Sequence, residues 1–123
     1  MKILAFILSA IALGNGVYMF LDPAGWYAAV PGVPDTGPLN LHFVRDIGIA
    51  YFTAGVGLAW SALGGGWRAS ALAALFLGGH ALLHLGETAM GHHHNVIASQ
   101  IVGIHVHAAL AVVLSVLQKR SGS

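Results

Sequence analysis

Four long apolar stretches, over 3–21, 41–63, 69–86 and 96–117, dominate this chain of 123 residues and decide what it can become. Each comes close to the roughly 20 helical residues that cross about 30 Å of hydrocarbon. Backbone polar groups in lipid must be satisfied inside a helix or a closed barrel, and these runs are continuous rather than alternating, so they read as helices. Composition agrees: 57% of residues are hydrophobic, 7% are charged and mean hydropathy is +0.79, outside the range of ordinary soluble domains. The predicted fold is all-α, a single integral membrane domain over 1–123 built as a four-helix bundle.

The first stretch resembles a secretory signal, because Lys2 precedes an apolar run with small residues near Ala10 to Gly14. The run continues through Val17, Met19 and Phe20, so we read it as a retained helix. If the chain crosses four times, Lys2, Arg68, Lys119 and Arg120 share one side, which the positive-inside rule makes cytoplasmic for both termini. The opposite loops hold Asp22, Asp35, Glu87 and the run His92, His93, His94, with no lysine or arginine. The expected location is a bacterial inner membrane, with that second face periplasmic in a Gram-negative cell. The outer loop 22–40 carries all four prolines with Trp26 and Tyr27, a composition that stops helices and favours the headgroup zone, so it is expected to lie over the outer end as a lid.

Net charge is +1 and no basic stripe or aromatic platform is present, so nothing calls for a nucleic-acid partner. Cysteine is absent, which excludes disulfides, thiolate metal sites and iron–sulfur clusters. Glycine is abundant at 17 copies, and its expected use in lipid is close helix packing.

Against this apolar background stand eight histidines, seven of them after Gly79. Taking ionisable groups into a bilayer is costly, and such residues normally face the bundle interior. At about 100° per residue, His80, His84 and Glu87 share a helical face within roughly 60°. His42, Arg45, Asp46 and Thr53 form an arc on the second stretch, Asn15, Tyr18 and Asp22 one on the first, and Gln100, Gly103 and His107 one on the fourth. These groups fall in the outer half of each stretch and the inner half offers almost none. A polar pocket opening outward is the expectation.

Two imidazoles and a carboxylate on one face form a ligand set for zinc, copper or non-haem iron. The expected transition-metal ligands are His80, His84 and Glu87, with His42 or His107 completing the set and Asp46 and Arg45 orienting it. Cu(II), Zn(II) or Fe(II) suits imidazole and carboxylate better than Cu(I) does. The run His92, His93, His94 then reads as a ramp by which cations arrive. A second reading places b-type haem between His80 and His105, which sit at similar estimated depth, roughly 15 Å below the outer boundary; a related possibility is a redox subunit that binds quinol. A third makes the histidines internal hydrogen bonders of a bundle with no ligand. The sequence assigns no catalytic residue: it has no His-Glu-x-x-His, no nucleophile elbow and no suitably paired carboxylates. Besides the lipid bilayer, the expected partner is a second copy or a larger membrane complex.

The stretch Leu39-Asn40-Leu41-His42-Phe43-Val44-Arg45-Asp46-Ile47-Gly48 leading into Ala50-Tyr51, followed by His80-Ala81-Leu82-Leu83-His84, resembles small four-helix bacterial inner-membrane proteins of the DoxX-like kind. The resemblance implies a four-helix fold and an association with membrane oxidoreductases or quinol chemistry. His42, Arg45, Asp46, His80 and His84 carry it. The triple histidine and the pair His105, His107 lie outside it.

Overall fold

A computed structural model describes residues 1–91 and 97–122 of the chain, and throughout them the only regular structure is helical. The expected run His92, His93, His94 lies outside the described residues. Three helical stretches are long and apolar enough to cross a membrane: Lys2–Leu21, Leu41–Ala89 and Ile97–Ser121. The middle one doubles back on itself, so the chain forms four rods.

The first rod is α1 (Lys2–Leu21). Asp22 ends it and starts the short α2 (Pro23–Ala29), where its carboxylate accepts from the Gly25 N–H at 2.9 Å and Pro23 sits where no N–H is needed. A 3₁₀ turn, Val33–Thr36, follows. Asn40 then caps α3 (Leu41–Trp60), accepting from the Phe43 N–H at 3.1 Å. A wide π turn over Ser61–Gly65 leads into α4 (Gly66–Ala89). The reversal needs glycine, because Gly64 has φ of 112° and Gly66 of 72°, both in the left-handed region that a Cβ disfavours. After α4 come α5 (Ile97–Gln100), a π segment Ile101–Val106 and α6 (His107–Ser121), which together make the last rod.

The rods alternate in direction and close a ring: α1 packs on α3, α3 on α4, α4 on α6, and α6 returns to α1. The α1–α3 contact is backbone to backbone. A Cβ built on Gly16 would lie 2.6 Å from the Gly48 carbonyl oxygen and 2.7 Å from the Phe52 nitrogen, and Ser9 Oγ donates to the Gly55 carbonyl at 2.8 Å. Small residues at such crossings let helices gain dispersion contacts where no water is present to drive association.

The core is built mainly from alanine, including Ala5, Ala12, Ala54, Ala73, Ala74, Ala108 and Ala111, with Leu8, Leu58, Leu77 and Leu114 filling the gaps. Larger side chains point outward, Leu63, Leu72, Leu75, Leu82 and Val102 among them. At most 33% of each apolar helical window is buried inside the protein. Small inside and large outside reverses the soluble pattern, and an apolar exterior of this extent is compatible with a membrane surround.

One expectation is corrected here. The inner half does contain polar groups: Ser70 Oγ donates to Gln118 Oε1 at 2.6 Å, and Gln118 Nε2 donates to Ser61 Oγ at 3.4 Å, all three residues buried. Serine is small and common in apolar helices and carries no signal of such a role in the sequence. Here it supplies the partners that let Gln118 be buried at all.

Candidate functional site

At the end of the bundle that carries α2, a cavity of about 400 Å³ opens between the rods. Its walls are Ile11, Asn15 and Met19 of α1, Ile47 and Tyr51 of α3, His80 and His84 of α4, and Gln100, Gly103, Ile104 and His107 of the last rod. Trp26, Val30, Pro31, Gly32, Val33 and Thr36 roof it, so the proline-rich loop does cover this end. The roof is fixed by two hydrogen bonds. The Trp26 indole N–H donates to Asn15 Oδ1 at 2.9 Å, and the Tyr27 hydroxyl donates to the Gly37 carbonyl at 2.6 Å.

The heptad spacing of Val44, Tyr51 and Leu58, all buried, turns Tyr51 inward on α3. Facing it, His80 and His84 flank the buried line Ala73, Leu77, Ala81 on α4. The His80 ring packs edge-on to Tyr51 at a centroid distance of 5.7 Å, lies against Phe76 at 6.2 Å, and meets His84 edge-on at 4.7 Å. From the last rod, His107 Nε2 lies 3.2 Å from the Leu8 carbonyl oxygen. That oxygen can only accept, so Nε2 carries the proton and Nδ1 is left as an acceptor. The Thr88 hydroxyl donates to the His84 carbonyl at 2.9 Å and lies 3.4 Å from Gln100 Oε1.

The polar atoms of the wall are not equally engaged. Asn15 is taken up by Trp26 and His107 by Leu8. Among the described residues, neither Tyr51 nor His80 has a hydrogen-bond partner; their contacts are between rings. A hydroxyl and an imidazole thus stand together on a mostly apolar wall with hydrogen-bonding capacity to spare.

The expected ligand set gathers only in part. His80 and His84 are adjacent, and His84 Nδ1 lies 3.9 Å from Glu87 Oε2, but Glu87 is not part of the cavity wall. His42 is set apart: its side chain is 88% exposed and its Nε2 lies 3.4 Å from Asp46 Oδ2, on the outside of α3. Arg45 is exposed too, its Nε donating to the Phe20 carbonyl at 3.2 Å. So His42, Arg45 and Asp46 share an arc, as expected, but the arc faces outward because the heptad through Tyr51 takes the inner face. Among the described residues, no three of histidine, aspartate and glutamate come together in a way that could hold a metal ion. His105 lies in the π segment, half-buried and outside the cavity wall.

Tyr51 and the Asn15–Trp26 pair are the wall residues whose part was not read from the sequence. A lone tyrosine in an apolar helix reads as a packing or interface anchor. The available signal was its place in the 44, 51, 58 repeat, which puts a hydroxyl on a buried helix face. Comparison with models of known protein families, with curated proteins and with solved structures finds no match.

Proposed function

We propose that this chain is a multi-pass protein of a bacterial inner membrane, a four-helix bundle with both termini cytoplasmic, whose outer cavity binds a small amphipathic ring compound of the quinol class drawn from the bilayer. The single observation that carries the reading is the Tyr51–His80 patch: a phenol and an imidazole with no hydrogen-bond partner among the described residues, side by side on a mostly apolar wall. Polar groups that line a cavity with no partner inside the protein are open to a ligand, and a mostly apolar cavity with a few convergent polar groups is the usual form of a small-molecule site. A quinol offers an apolar ring to Ile47 and Ile104 and oxygens to Tyr51 and His80. The cavity volume of about 400 Å³ falls within the range for such sites. The DoxX-like resemblance, with its association with quinol chemistry, points the same way, and a redox complex in the membrane is the setting in which a subunit of this kind works.

Titrating the purified protein with a short-tailed benzoquinol tests the reading. Saturable binding is expected, weakened about tenfold in Tyr51→Phe, which removes one hydroxyl and nothing else. Tyr18→Phe, on the exposed side of α1, leaves it unchanged. Absence of saturable binding, or equal affinity in Tyr51→Phe, sinks the proposal.

The adjacent His80 and His84 rings keep a transition metal in view as the second reading. It requires further ligands beyond this pair. Elemental analysis of protein purified without nickel affinity decides: one copper, zinc or iron per chain, lost in a His80→Ala, His84→Ala double variant, establishes the metal site in place of the quinol site.

A further inference from the structure

A second hollow lies on a different side of the bundle and shares no residue with the cavity. It follows from the close α1–α3 crossing. Where Gly16 and Gly48 bring the two backbones together, the missing side chains leave a groove floored by glycine and walled by Val17, Phe20, Ile49 and Phe52. Its volume is about 280 Å³ and no polar side chain lines it. That falls just short of the usual range of ligand pockets and suits a length of hydrocarbon chain rather than a whole molecule.

At the outer end of the same groove sits Arg45. Its Nε donates to the carbonyl of Phe20, itself a groove residue, and so satisfies one of the free carbonyls at the end of α1. A guanidinium has five N–H donors, so four remain. The neighbouring carboxylate does not use them: Asp46 pairs with His42, and among the described residues Arg45 has no ion-pair partner. The other basic residues of the chain, Lys2, Arg68, Lys119 and Arg120, lie at the opposite end. Arg45 is thus an isolated cation about 6 Å from the start of α3, at headgroup depth if α3 spans the bilayer.

We infer that α1 and α3 bind a phospholipid of the outer leaflet, an anionic one of the phosphatidylglycerol type, with its phosphate on Arg45 and part of an acyl chain in the glycine-floored groove. Planar guanidinium donors match phosphate oxygens, and this cation has no carboxylate to compete for it. The inference rests on the membrane part of the proposed function and not on what the cavity binds.

Native mass spectrometry of the full chain, released from detergent with phosphatidylglycerol or with diacylglycerol of the same chains, reads the site. Wild type is expected to retain one phosphatidylglycerol. Arg45→Gln loses about tenfold in affinity for it and keeps its affinity for diacylglycerol. Ile49→Trp, at a half-exposed wall position, weakens both by filling the groove. Equal phosphatidylglycerol retention by wild type and Arg45→Gln overturns the inference. So does efficient disulfide formation between Ile49→Cys chains in vesicles, which puts a second copy in the groove. The membrane reading is scored apart: protein held in the membrane pellet through a carbonate wash supports it, and release into the supernatant overturns that reading whatever the lipid titration gives.

Discussion

Gln118 shows at the level of one side chain how polarity is managed away from the cavity. Its amide is 3% exposed and is bound by Ser70 on α4 and Ser61 at the end of α3, so three parts of the chain meet on one group. Replacing it by leucine removes both hydrogen bonds and leaves the Ser61 and Ser70 hydroxyls with only their local backbone partners, the Leu58 and Trp67 carbonyls. Interhelical hydrogen bonds in lipid contribute about 1–2 kcal/mol, and Gln118→Leu is expected to lower the stability of the detergent-solubilised protein by that order, measured by unfolding in a denaturing detergent. The residues themselves divide in how far the sequence gave them away. His80 and His84 stand out because imidazole is rare and costly in apolar helices, and the rings do meet. Ser61, Ser70 and Tyr51 do not stand out, since serine and tyrosine are ordinary in such helices. Their roles depend on which helices become neighbours, which is not encoded in any one segment.

At the level of the helix, the close contact of α1 with α3 carries the clearest consequence. Gly16 lies within van der Waals reach of the Gly48 and Phe52 backbones, atoms that cannot swing aside as a flexible side chain can. Gly16→Val is therefore expected to separate the two helices and cost about 1–3 kcal/mol, read as a lower unfolding midpoint and loss of the retained phospholipid. Gly14, on the same helix with open space beyond its Cα, tolerates alanine and serves as the control. Helix positions were legible from apolar run lengths, and the observed rods extend the expected ones by a few residues at several ends. Facing was less legible. His42, Arg45 and Asp46 do share an arc, yet a uniform 100° wheel does not say which of two arcs is inward, and the glycine and heptad pattern decided it. In the last rod, Gln100, Gly103, Ile104 and His107 do share one wall, as the plain wheel places them, although Ile101–Val106 winds as a π segment.

For the whole molecule, the arrangement is testable because the chain has no native cysteine, so single cysteines can be placed without background. Thr36→Cys, in the roof, is expected to react with a membrane-impermeant maleimide on intact spheroplasts. Ser121→Cys, at the end of α6, is expected to react only after permeabilisation. The reverse pattern inverts the orientation and would put the cavity on the cytoplasmic side. The small-inside, large-outside packing was foreshadowed by abundant glycine and alanine, but the existence of a cavity was not, because an unfilled volume is a property of assembled helices.

The bond between Trp26 and Asn15 has a further practical meaning. Trp60 and Trp67 sit beside the turn at the far end of the bundle, so Trp26 is the chain's only indole near the cavity. A molecule passing beneath the roof must displace or cover that ring, altering its surroundings. In a double Trp60→Phe, Trp67→Phe background the protein becomes its own optical sensor, with emission wavelength and quenching reporting occupancy directly and without a label.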